Sequence, residues 1–318
     1  MKNLRVALLA ACVVALAGCG LRLETDGPAP PLPGPDEQVR AQTVTDAQAL
    51  ADAASALEPT ADATLSPVLS DITTFSAAHI EALGGVYDSG LPTSAPTTTP
   101  TSAPTPAGLL DLLATATTTA ATDTDQVRDP ALARVLGSVA VARGELTARL
   151  AEALDVEVPS TAPASPAPPD ASHPVVAPSL VLAHDQAGYA FEVIAAQAPA
   201  GSDLRGAAVT AAGYHRAQAT AWARTGGFDG TSTDPRRAQY QLPDGLSDPA
   251  TARALAVALE QAVAQAASAA LADAAPGDRA DLLADLGAAT ADATAWGATP
   301  DPLPGLPPTT TPTPSPTP

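Results

Sequence analysis

The sequence predicts an all-α protein built from two groups of four helices, flanked and joined by proline-rich segments. Three observations carry this. Apolar residues recur three and four apart along most of the chain, the period of one helix face. Alanine dominates and β-branched runs are scarce, which favours helix over strand. The 34 prolines gather in a few stretches, so helical segments alternate with stretches that cannot be helical.

The chain opens on a charged start (Lys2, Arg5), an apolar run from Val6 to Ala17, and the tetrapeptide Leu16-Ala17-Gly18-Cys19. The run is too short to span a bilayer comfortably, and small residues flank the cut site of a signal peptide over residues 1–18. Leu-Ala-Gly-Cys resembles the bacterial lipoprotein signal, which would make Cys19 the lipidated (palmitate-type) first residue of the mature chain. Residues 19–42 read as a tether: Pro28, Pro30, Pro31, Pro33 and Pro35 hold the backbone extended and make a stiff spacer.

The first helical group occupies residues 43–156. Its helices are expected near 43–57, 63–87, 107–121 and 129–155. The second carries Leu65, Leu69, Ile72, Phe75, His79, Leu83 and Val86 on one stripe. The fourth opens on Asp129-Pro130, an N-cap followed by proline at the first helical position, and turns Leu132, Leu136, Val139, Leu146, Leu150 and Leu154 inward. An unstructured insert is expected at 88–106 and an unstructured linker at 157–177.

The second group occupies residues 178–298, with helices near 179–197, 202–225, 248–275 and 278–297. Their stripes are Leu180, His184, Ala187, Phe191 and Ile194; Leu204, Ala208, Ala211, His215 and Trp222; Leu255, Leu259 and Val263; and Leu282, Leu286, Ala289, Ala293 and Trp296. Asp248-Pro249 opens the third, and Pro276-Gly277 closes it. An unstructured Pro/Thr tail is expected from 299 to 318.

Loop lengths set the topology. In each group the first two and the last two helices are joined by short turns and form antiparallel hairpins, while a long connection (88–106, then 226–247) joins the hairpins. A four-helix bundle with one long crossover is the ferritin-like arrangement. It is expected for the C-terminal group, with a second, similar bundle in the N-terminal half; whether the groups form one body or two domains stays open. The stretches Leu182-Ala183-His184-Asp185-Gln186-Ala187-Gly188-Tyr189-Ala190, Tyr214-His215-Arg216, Tyr240-Gln241-Leu242-Pro243 and Ala295-Trp296-Gly297 resemble the ferritin-like DUF4439 family of actinobacterial proteins over about residues 178–307. The family carries no assigned activity, so the resemblance implies a fold and leaves function open.

Composition excludes several chemistries. Both cysteines, Cys12 and Cys19, lie at the N-terminus, which removes disulfides, zinc–thiolate sites and cysteine nucleophiles on supply. A net charge of −19 with no basic cluster argues against nucleic acid and against membrane attachment by charge. No phosphate loop, nucleophile elbow or triad spacing occurs. A ferritin-type di-metal centre needs Glu-x-x-His pairs, and none occurs. The most generous metal constellation is His184, His215, Glu192 and Glu260, but Glu192 lies about 80° round the helix from His184. His184, His215 and His79 read as stripe histidines satisfied on a neighbouring helix, and His173 as linker. Asp278, Asp281, Asp285 and Asp292 read as a solvated face, as do Asp185, Tyr189 and Glu192, and Trp222 and Trp296 as plugs in an alanine-thin core.

The expectation is therefore a lipid-anchored protein on the extracytoplasmic face of the cell membrane, not an enzyme and without a cofactor, that binds or scaffolds an envelope protein or ligand. The alternative is a degenerate metal-binding protein or metal-dependent oxidoreductase.

Overall fold

A computed structural model describes residues 33–86, 104–158 and 177–307. The signal segment, Cys19 and His173 lie outside the described residues. Eight α-helices follow one another and no strand occurs among the described residues: α1 (Pro35–Leu57), α2 (Leu65–Ala82), α3 (Pro106–Gln126), α4 (Pro130–Ala153), α5 (Pro178–Gln197), α6 (Asp203–Thr225), α7 (Pro249–Asp273) and α8 (Ala280–Trp296). A single 3-10 turn, Glu58–Thr60, leads from α1 towards α2.

The helix starts obey local chemistry. α1, α3, α4, α5 and α7 each open on a proline, whose missing N–H costs nothing in a first turn. Asp129 accepts from Ala131 N and Leu132 N, Ser202 from Arg205 N, and Asp248 from Thr251 N, so side-chain oxygens take up free amides. The same logic explains why α1 begins at Pro35, inside the expected tether. Pro35 is preset for the first helical position, and Glu37 receives two bonds from Arg40 one turn on.

The hairpins form as the loop lengths predict: α1 packs on α2, α3 on α4, α5 on α6 and α7 on α8. α1 also meets α3, α2 meets α4, and α5 meets α7. The two groups are one compact unit from Pro35 onward. α4 packs on both α7 and α8, and Ala120 and Ala140 of the first group join the core of the second. A leucine-rich core around Leu69, Ile72, Leu113 and Leu146 fills the first group. Val86, placed on the inward stripe by its spacing, is exposed, because α2 ends at Ala82 and Gly84 and Gly85 follow with positive φ.

Two buried arginines tie helices together, Arg143 within the first group and Arg279 between the two groups. Arg143 donates to Ala116 O and Thr43 O across α3 and α1, and burial pulls its guanidinium down to about 10, leaving it charged at neutral pH. Arg279, at the start of α8, donates through Nη1 to Thr124 O and Val127 O and through Nε to Leu271 O and Ala274 O. One guanidinium thus caps the C-terminal ends of α3 and α7 together, where carbonyls lack helical partners.

Residues 299–307 correct the expected unstructured tail. Gly297 ends α8 in the left-handed conformation, and the chain after it runs back as a strap across both groups. Pro302 O accepts from His79 Nε2 (2.8 Å), Pro304 O from Ser138 Oγ (2.8 Å) and Gly305 O from Arg134 Nη2, whose Nε also donates to Ser268 Oγ. Prolines lack N–H groups but keep their carbonyls, so a Pro-rich segment is ordered here by its acceptors. Burial pulls His79 down to about 3, so it stays neutral and donates. Gly305 has φ +75°, and a Cβ there would come within 2.7 Å of Ala264 O and 2.8 Å of Leu286 Cδ1, so only glycine fits.

Candidate functional site

Four side chains from four helices of the second group meet in its core. α5 supplies His184, α6 His215, α7 Glu260 and α8 Asp285, each no more than 1 % exposed. They form one chain of hydrogen bonds: His184 Nε2 to Asp285 Oδ2 (2.8 Å), His184 Nδ1 to His215 Nδ1 (2.9 Å), and His215 Nε2 to Glu260 Oε1 (3.0 Å). Asp285 also accepts from Trp222 Nε1 (3.1 Å) and Tyr214 Oη (3.3 Å). Phe191 stacks on His215 at 5.4 Å, and Trp296 stacks on Phe191 at 5.4 Å.

All three contacts are buried, where facing lone pairs would repel, so the four groups form one connected hydrogen-bonded unit. Glu260 Oε2 is buried without a partner.

His184 and His215 are satisfied on neighbouring side chains, as their stripes predict, and Glu260 joins them. Glu192 does not: it lies on the outside, gripped by Arg216 through both oxygens (3.0 and 2.9 Å). Asp285 corrects the reading of a solvated face. It sits three residues after Leu282 and four before Ala289, the spacing of the apolar stripe itself, and Asp292 repeats that relation to Ala289 and Trp296. Stripe spacing was the available signal. Asp185 is a second correction: 4 % exposed, it accepts from Arg216 Nη1, Arg237 N and Tyr240 Oη, and so pins the long α6–α7 connection onto α5. Burial, with that hydrogen bond second, raises the Tyr240 phenol.

As arranged here, the residues of the centre are engaged with one another. Each ring nitrogen of His184 and His215 is within 3.0 Å of another protein atom, so all four are engaged in hydrogen bonds inside the protein. No group of three or more His, Cys, Asp or Glu among the described residues is arranged to hold one.

A groove of about 1270 Å³ runs beside this centre, walled by α4 and α6 and floored by α8. α4 and α8 lie alongside in the same sense: Gly137 is against Leu283, Val141 against Gly287, and Glu145 accepts from Thr294. The floor is small and apolar (Ala284, Gly287, Ala288, Ala291, Ala295), and Trp296 stands at one end. Tyr214 and Asp292 line the groove and connect it to the buried chain. Burial raises both. The Tyr214 phenol is pushed above its ordinary range, with Asp285 adding to the effect, and the Asp292 carboxyl is pushed up to about 6, with Glu260 behind it as the second cause.

Residues 176–308 match the family model described as "Domain of unknown function (DUF4439)", in keeping with the resemblance read from the motifs. The match contains all four residues of the centre and α5 to α8, and leaves α1 to α4 outside. No curated protein matches the chain, and no solved structure does.

Proposed function

We propose, with residues 176–308 taken as a DUF4439 domain, that this protein is a lipid-anchored protein of the cell envelope that binds its partner without transforming it, and that the α4–α6–α8 groove is where it binds. The observation that carries the reading is the pairing of an open apolar groove with a polar centre turned inward. His184 and His215 spend all four ring nitrogens on each other and on carboxylates, which leaves no free base or ligand position. The groove offers concave apolar surface with a few polar groups, the usual make-up of a small-molecule site.

Attachment rests on Cys19, preceded by Leu16-Ala17-Gly18 and followed by a proline-rich tether. A net charge of −19 repels anionic lipid, so the acyl anchor does the holding. Cys19→Ser is expected to move the protein from the membrane fraction to the soluble fraction with its helical circular dichroism intact; continued membrane attachment would overturn the anchor.

Binding is tested with a neutral hydrophobic fluorophore, N-phenyl-1-naphthylamine. Ala291 is an exposed residue of the groove floor, so Ala291→Trp fills the groove without entering the core. Wild-type protein is expected to bind the probe, and Ala291→Trp to weaken it about tenfold, the equivalent of about 1.4 kcal/mol. Unchanged binding would remove the groove from the proposal. Stoichiometric iron, manganese or zinc that disappears in His184→Ala and His215→Ala would replace the binding reading with the metal-dependent one.

A further inference from the structure

We infer that the groove takes a cationic amphiphile, an apolar chain lying along the α8 floor with an ammonium group held at Asp292 between Tyr214 and Trp296. The inference rests on the groove being the binding site. Its first support is charge. The groove is lined by four carboxylates (Glu145, Glu152, Asp203, Asp292) and two guanidiniums (Arg149, Arg253), and Arg149 is already paired with Asp71. Behind Asp292 stand Glu260 of α7, which raises its carboxyl, and His215 of α6, which acts in the opposite direction, and Asp292, Asp285 and Glu260 all act on Tyr214 of α6. An apolar-walled cleft whose lining carries more carboxylates than guanidiniums concentrates that excess field and draws the opposite sign. A carboxylate-headed amphiphile would meet repulsion at the same place.

The second support is the aromatic frame. Tyr214 and Trp296 line the groove with Asp292, and Tyr214 spends its hydroxyl hydrogen on Asp285. An electron-rich ring beside a carboxylate is the combination that recognises ammonium and quaternary ammonium groups. The third is length. From Ala284 to Ala295 the floor rises about 16 Å, room for a medium alkyl chain against alanine and glycine.

The test is displacement of N-phenyl-1-naphthylamine by decyltrimethylammonium, decanol and decanoate, each below its aggregation concentration. Decyltrimethylammonium is expected to bind about tenfold tighter than decanol, and decanoate weakest. Asp292→Asn is expected to erase the preference for the cation over decanol, whereas Asp292→Glu keeps it. Because the Asp292 carboxyl sits at about 6, its anion forms as the pH rises through that value, so the preference for the cation grows from pH 5 to pH 7. Equal affinities for the three ligands, or a preference for decanoate, would overturn the charged occupant while leaving the groove intact. Failure of the fluorophore and of every ligand to bind would instead overturn the groove itself.

Discussion

Asp285→Ala is expected to cost about 3–5 kcal/mol of stability, because one truncation removes the shared partner of three polar groups, two of them buried. His184 Nε2, Trp222 Nε1 and Tyr214 Oη all bond this one carboxylate; His184 and Trp222 are buried, and only Tyr214 reaches the groove. Against the 5–15 kcal/mol that typically holds a folded domain, this is a large fraction. Asp285→Asn keeps the volume and one acceptor oxygen, and is expected at about half that cost. Urea unfolding followed by circular dichroism measures both. Equal costs for the two variants would mean that shape, not hydrogen bonding, is what Asp285 supplies.

The second large effect is at Arg279. Arg279→Met removes the donors to four backbone carbonyls at the ends of α3 and α7, with an expected cost of about 3–5 kcal/mol. Arg279→Lys keeps the charge but cannot fork across both helix ends, so it is expected to recover less than half of the loss. Amide hydrogen exchange localises the effect. Protection should fall first at Val127 and Ala274, whose N–H groups close the last turns of the two capped helices. Loss confined to α8 would show that Arg279 acts on its own helix instead.

The helices and their pairing were legible in the sequence because their causes are local. Apolar spacing, Asp129-Pro130 and Asp248-Pro249 caps, and the contrast of short turns with long connections each act within a few residues. What escaped depends on partners far along the chain. Asp285 looks like one more acid of an acidic helix until His184, 101 positions away, is placed against it. Asp185 likewise meets Tyr240 across 55 positions, and the strap meets His79 across 223. Composition misled at Pro35 and at 299–307 for one reason: proline density signals an extended chain, yet a single proline also starts a helix, and its carbonyl still accepts hydrogen bonds. The site was half legible. His184, His215 and Glu260 stood out by residue type, whereas the groove arises only when α4, from outside the matched family region, closes over α8.

The strap gives the family region an unexpected dependence. Residues 302–305 lie inside the 176–308 match, yet the side chains that hold two of their carbonyls, His79 and Ser138, belong to the half outside it, and Arg134 of that half takes a third. The edge of the 176–308 match is thus not the edge of the compact unit, which runs from Pro35 onward. The last residues of the matched stretch are clasped by helices that precede it, so a substitution at His79, Arg134 or Ser138 is felt at the far end of the chain.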